Sequence, residues 1–184
     1  PIAAEDLQKT SVAQPLIYAI QSALASCLAE AGIHPESVLG HSVGEVAAAE
    51  VSGALTREQA VRLIYFRSKH QEGARGMGRM LVVAADEALT SRQLASFGSP
   101  AIEIAAMNSA TSTTVSGPAE ELKAFAKTCR AARIATVPLD IDYPFHSSVL
   151  EPLKDGMLAD LAFLKPAATQ AAFFSAVTGG PVAG

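Results

Sequence analysis

Gly40-His41-Ser42-Val43-Gly44 carries the spacing G-x-S-x-G. It follows Val38-Leu39, which reads as the end of a short buried strand, and leads into an Ala-rich helical stretch from Gly44 to Val51. In that setting the five residues form a nucleophile elbow. The turn is tight, so glycines are needed where neighbouring side chains would crowd. The serine is lifted out of the turn with its Oγ exposed, and the following helix points its N-terminus at the site. The helix dipole and its free N–H groups stabilise negative charge, and the Val43 N–H is expected to donate to an oxyanion. The plainer reading is a chance glycine-rich turn with a buried serine. The strand before it and the helix after it favour chemistry.

A serine nucleophile needs a base, and there are four histidines. His34 precedes Pro35 in a polar loop, and His70 lies at a polar helix end; both read as surface residues. His41 adjoins Ser42, and neighbours in a tight turn rarely face each other. His146 follows Tyr143-Pro144-Phe145 at the boundary between two expected subdomains, where clefts form. It is the expected base, against the alternative of a core histidine with a satisfied hydrogen bond. Cys27 and Cys129 are far apart and read as reduced, buried thiols. No cluster has metal-ligand spacing, so no metal site is expected.

These groups must be held by elements that the pattern outlines. Pro15 is expected to open a helix that carries Leu16, Ile20, Leu24, Cys27, Leu28 and Ala31 and ends at Gly32. Thr56 and Gln59 have capping-box spacing ahead of a helix that fades at Gly73. Gly73, Gly76 and Gly78 read as a flexible hinge. Next come a strand from Met80 to Ala84, a helix from Asp86 to Phe97, and strands from Ile102 to Met107 and Thr113 to Ser116 joined by residues 108–111. Pro118 then opens a helix with Leu122, Phe125, Ala126 and Cys129 on one face, and Ile134 to Ile141 is a last strand. The order βαββαβ is a ferredoxin-like pattern. A helix after His146 and a strand from Phe173 to Val177 complete the chain. The expected fold is α/β: a hydrolase-like large subdomain over residues 1–76 and 143–184, with a ferredoxin-like small subdomain inserted over 77–142.

Composition excludes several classes. The 184 residues are 49% hydrophobic and 17% charged, enough apolar material for a sizeable core, so disorder is excluded. A net charge of -4 offers no basic stripe, and the chain lacks Trp as a stacking platform, so nucleic acid is not an expected partner. No uninterrupted apolar run of membrane-spanning length is read, residues 1–9 do not resemble a signal peptide, and a cytoplasmic location with no membrane partner is expected.

Several motifs in order resemble one family. They are Gln14-Pro15, Gly40-His41-Ser42-Val43-Gly44-Glu45, Arg67 in Tyr65-Phe66-Arg67-Ser68, Asn108-Ser109 before Val115-Ser116-Gly117, and Tyr143-Pro144-Phe145-His146-Ser147. Nearly the whole chain resembles the acyltransferase domain of a modular type I polyketide synthase, kin to malonyl-CoA:acyl-carrier-protein transacylases. The resemblance implies Ser42 as nucleophile and His146 as general base, then acid. It implies Arg67 as the grip on a malonyl-type carboxylate, a role its planar fork suits. His41 and Asn108 are implied as supporting residues. It also implies malonyl-CoA or a related acyl-CoA as donor, the phosphopantetheine thiol of an acyl carrier protein as acceptor, neighbouring synthase domains as partners, and no bound cofactor.

Within that family, a branched aliphatic residue after the serine, here Val43, goes with malonyl. Tyr143-Pro144-Phe145-His146 mixes the malonyl and methylmalonyl patterns. Phe145 is bulky where serine would leave room for an α-methyl, which favours malonyl; Tyr143 and Pro144 leave methylmalonyl or an unusual extender open. Members normally begin with a Gly-Gln-Gly turn that supplies an oxyanion donor and end with a segment that orients the histidine, so this chain is expected to be truncated at both ends. The rival readings are a serine hydrolase or thioesterase, which shares the elbow, and a decayed domain kept for docking.

Overall fold

The computed structural model describes residues 2–182, and it divides into two compact units. The first comprises residues up to Glu72 together with Asp155 onward. The second runs from Gly73 to Lys154. The outer ends of the expected division, at residues 1 and 184, lie outside the described residues.

The first unit opens with a 3-10 turn, Ala4–Gln8, followed by α1, Thr10–Glu30. Pro15 therefore lies inside α1 instead of opening it. Thr10 and Gln14 are buried on the added first turn, so tertiary contacts carry the helix back past the proline. The helix ends as expected: Gly32 takes a left-handed φ of 78°, and Ile33 N–H donates back to the Leu28 carbonyl. After it come β1, Ser37–Gly40, α2, Gly44–Val51, and α3, Arg57–Glu72. The capping box before α3 is formed, with Thr56 N–H on Gln59 Oε1 at 2.9 Å and Gln59 N–H on Thr56 Oγ1 at 3.2 Å.

Beyond Lys154 the chain forms a short helix, α6, Lys154–Asp160, and then a strand, β6, Ala172–Ser175. β6 pairs in parallel with β1, Gly40 opposite Ser175. β1 is not the buried strand its apolar residues suggested: Leu39 is 68% exposed. The second edge of β1 pairs with no strand among the described residues, so alternating burial has nothing to enforce it. Cys27 is likewise exposed, while Cys129 is buried.

Tyr18, Val46, Ala47, Ala60 and Ile64 pack α1, α2 and α3 together. By length and mean hydropathy α1 is long and apolar enough to cross a membrane, although Gln14, Gln21 and several serines interrupt its apolar run. Yet the face with Gln14, Tyr18 and Ser22 is buried. Tyr18 Oη donates to Glu50 Oε2 at 2.7 Å, Ser22 Oγ to Glu50 Oε1 at 3.0 Å, and Arg57 Nε to Glu50 Oε1 at 2.8 Å.

The second unit contains β2, Arg79–Val83, α4, Glu87–Phe97, β3, Glu103–Ser109, β4, Ser112–Gly117, α5, Ala119–Ala131, and β5, Thr136–Pro138. The strands form one antiparallel sheet in the order β3-β4-β2-β5. Leu81, Val83, Val115, Leu122, Phe125 and Cys129 belong to its core. Asp86 caps α4, accepting from Leu89 N–H at 2.7 Å.

Four expectations are revised here. The last strand is short: only Thr136–Pro138 stands in register with β2. The helix expected after His146 is split into a 3-10 turn, Ser148–Leu153, containing Pro152, and α6. Gly78 is not a flexible joint: a Cβ there would lie 2.7 Å from the Gly117 carbonyl oxygen and 2.8 Å from Pro144 Cβ, so it is a site of close packing. That contact, with Ser148 N–H on the Glu103 carboxylate at 3.2 Å, joins residues 143–154 to the second unit. The sequence reading had assigned them to the large subdomain.

Burial raises the Glu50 pKa, but bonds from Tyr18, Arg57 and Ser22 outweigh it and hold the carboxyl below its usual range. Its stabilising contribution is therefore present above the unfolded carboxyl value and is lost as pH falls through the folded one. Glu50→Ala is expected to cost about 2 kcal/mol at pH 7, since it strands Tyr18 and Ser22. The deficit should shrink on acidification, as followed by urea denaturation between pH 7 and pH 3.

Candidate active site

β1 ends at Gly40 and α2 begins at Gly44, leaving His41-Ser42-Val43 to reverse the chain. Gly44 N–H donates to the His41 carbonyl at 2.9 Å and Glu45 N–H to the Ser42 carbonyl at 3.1 Å. This geometry folds the start of α2 onto the strand end. A Cβ on Gly40 would stand 2.3 Å from Glu45 N and from the Gly44 carbonyl group, so only glycine fits. Gly44 differs: a Cβ there meets only Gln21 Nε2 at 3.6 Å, an ordinary contact. The turn thus requires one of its two glycines, not both.

Ser42 has φ 52°, a left-handed conformation unusual for a residue with a side chain. Two other non-glycine residues share it among those described, Arg133 and His146. Arg133 follows α5, and Ile134 N–H donates to the Cys129 carbonyl, the bond of an ordinary helix end. No helix end accounts for Ser42 or His146. Backbone strain of this kind costs about 1–3 kcal/mol per residue and concentrates at functional positions.

Arg67, on α3, reaches Ser42: its Nη2 donates to Ser42 Oγ at 3.1 Å. Its Nη1 donates to Gln14 Oε1 on α1. Burial pushes the Arg67 guanidinium below its ordinary value, offset in part by the charge of Glu45. Glu45 also accepts from Ala176 N–H at 3.1 Å, tying α2 to the chain just after β6. A desolvated cation beside a strained serine hydroxyl can hold an anionic group next to whatever that hydroxyl attacks. His41 is exposed within the turn.

The remaining expected residues lie in the second unit. His146 is exposed, with φ 58°. It ends a turn that Ser147 Oγ closes by donating to the Pro144 carbonyl at 2.7 Å. Tyr143 is 2% exposed and stacks on Phe145, ring centroids 5.0 Å apart and planes 10° from parallel. Tyr143 is thus packed away and supports Phe145. Asn108 lies in β3, not in the connecting turn, and its Nδ2 donates to Thr114 Oγ1 at 2.8 Å and Ser112 Oγ at 3.3 Å. Those bonds brace the β3–β4 hairpin.

Sequence reasoning singled out Ser42 and Arg67, which the structure brings together. It missed Gln14 and Gln71 as parts of the same cluster. The available signal was the spacing of Arg67 and Gln71, one helical turn apart on α3.

The family model for the acyl transferase domain matches residues 2–183. The pikromycin polyketide synthase component PikAIII of Streptomyces venezuelae is 37% identical over 177 residues, 96% of this chain and 11% of that protein. The acyltransferase domain from module 8 of the salinomycin polyketide synthase superposes with a TM-score of 0.93 at 30% identity, covering 99% of this chain and 43% of the other. The malonyl CoA-acyl carrier protein transacylase from Clostridium perfringens Atcc 13124 gives a TM-score of 0.89 at 25% identity, covering 96% and 57%. The chain belongs to the acyl transferase domain family, and its relatives are components of modular polyketide synthases. It spans about a tenth or less of the length of the synthases it matches.

The two glycines separate experimentally. Gly40→Ala is expected to lose more than about 3 kcal/mol or fail to fold, because backbone has no flexible end to yield. Gly44→Ala, at the first position of a helix, is expected to change stability by less than about 1 kcal/mol. Thermal melts followed by circular dichroism compare them.

Proposed function

We propose that this chain transfers a malonyl-type acyl group from coenzyme A, through an acyl-serine ester, to the phosphopantetheine thiol of an acyl carrier protein in polyketide synthesis. The observation that carries the proposal is the Arg67 guanidinium held on the Oγ of a serine in a strained strand–turn–helix elbow. A cation in that position suits an acyl group bearing its own carboxylate; a neutral lipid acyl chain would gain nothing from it.

In the first half-reaction Ser42 Oγ attacks the thioester carbonyl, and its proton passes to His146. The tetrahedral oxyanion draws on the Val43 N–H. The backbone bonds of the turn come from Gly44, Glu45 and Val46 and none from Val43 among the described residues, which leaves that donor to the oxyanion. The intermediate collapses by breaking the C–S bond, and the departing thiolate takes the proton from His146. In the second half-reaction the carrier thiol gives its proton to His146 and attacks the ester. C–O cleavage returns the proton to Ser42. Each bond change is accompanied by one proton transfer, so no metal or organic cofactor is required.

Phe145, backed by Tyr143, favours malonyl over methylmalonyl by filling space an α-methyl would use. Val43 is compatible with the same choice. We also read the second unit as the ferredoxin-like small subdomain, supported by its sheet order, and the first as part of a hydrolase-like core, supported by the parallel β1–β6 pair and the elbow. A cytoplasmic setting among neighbouring synthase domains, away from membranes, suits these substrates.

Intact-mass spectrometry after mixing with malonyl-CoA is expected to show a malonyl adduct on the protein, absent in Ser42→Ala. Release of free malonate in place of transfer to a carrier would make the chain a hydrolase, and no adduct in the natural polypeptide would sink the acyltransferase reading. Phe145→Ser is expected to raise methylmalonyl relative to malonyl loading about 10-fold, the scale of one methyl group in a pocket. Competition between the two donors measures it.

A further inference from the structure

Gln14 belongs to none of the steps above, yet it is 7% exposed and sits between two side chains of α3. Arg67 and Gln71 stand one turn apart on that helix, and the Gln14 carboxamide from α1 fits between them. Its two ends are chemically distinct: Oε1 only accepts, and Nε2 only donates. Oε1 accepts from Arg67 Nη1. Nε2 donates to Gln71 Oε1 at 2.7 Å and to Thr10 Oγ1. A reversed amide would press NH2 against a guanidinium and set two carbonyl oxygens face to face. Gln71 and Thr10 therefore fix which way the amide points.

We infer that Gln14 is a positioning residue that aims Arg67 at the acyl group's carboxylate and, being neutral, leaves the charge of Arg67 to the substrate. The inference rests on the reading of Arg67 as the carboxylate-binding group. An arginine side chain has large rotamer freedom, and pinning Nη1 to α1 sets the plane of its fork while Nη2 faces Ser42. The acceptor's neutrality matters as much as its position. Glutamate here would accept the same bond but form an ion pair, and an incoming carboxylate would have to compete with it. The hydrogen-bond acceptors of Arg67 among the described residues are Gln14 and Ser42, and Glu45 acts on it only through space.

The test compares initial rates of acyl-enzyme formation from malonyl-CoA and acetyl-CoA across donor concentrations, in the natural polypeptide. Wild type, Gln14→Leu, Gln14→Glu and Arg67→Ala are measured side by side. Gln14→Leu and Gln14→Glu are each expected to lower the malonyl-to-acetyl ratio of kcat/KM about 10-fold or more, mainly through KM, with acetyl loading changed several-fold less. A role in packing alone would depress both donors in parallel. If Arg67→Ala collapses the ratio while both Gln14 variants keep it, the positioning role is wrong and the carboxylate reading stands. If Arg67→Ala keeps the ratio, the carboxylate reading itself fails. Should circular dichroism show Gln14→Leu unfolded, the nearly isosteric Gln14→Glu decides alone.

Discussion

The contact at Gly40 governs the geometry around Ser42. There the first backbone atoms of α2 lie where any other residue would place its Cβ. This proximity goes with a chain reversal over three residues in which Ser42 takes a left-handed φ. The reversal also starts α2 two residues after Ser42, where the amides of Gly44, Glu45 and Val46 close the turn and the guanidinium of Arg67 meets the hydroxyl. The second glycine is under no such pressure. Symmetry in the motif is therefore not symmetry in the physics: one glycine is required by distance, and the other is merely compatible with a helix start.

Behind the elbow, polar groups hold the three helices of the first unit in register. Glu50 on α2 gathers Tyr18, Ser22 and Arg57, and Gln14 on α1 joins Arg67 and Gln71 on α3. Both clusters hang from the same buried face of α1. Apolar packing alone would permit small shifts of one helix past another, whereas directional bonds to a carboxylate or an amide penalise them. The same bonds explain why the tyrosine hydroxyl resists ionisation: burial first, then the neighbouring Glu50 carboxylate, push it up to about 12.

Much of this was readable in the residues. The elbow, the helix α2 over its whole length, the Thr56–Gln59 capping box and the order of elements from Arg79 to Pro138 follow from local rules, and these are the features local chemistry decides. Others depend on partners distant in the chain. Pro15 reads as a helix start until Thr10 and Gln14 are seen buried on the turn before it. Leu39 reads as core until the strand is seen with one neighbour. Asn108 reads as a turn residue until its bond to Thr114 places it within a hairpin. Arg67 could be singled out only by resemblance; its spacing on α3 is that of any surface cation. Its meeting with Ser42 is a fact of tertiary structure.

The second side of β1 has a feature of its own. Among the described residues that side pairs with no strand and lies beside Leu39, and Leu24, Leu28 and Ile33 on and just after α1 are also exposed. At four residues β1 is a very short edge, and the exposed Pro35 and Glu36 directly precede it; these features limit pairing with another copy of itself. The shortness of the strand and the glycine that sets the elbow are in this way properties of the same four residues.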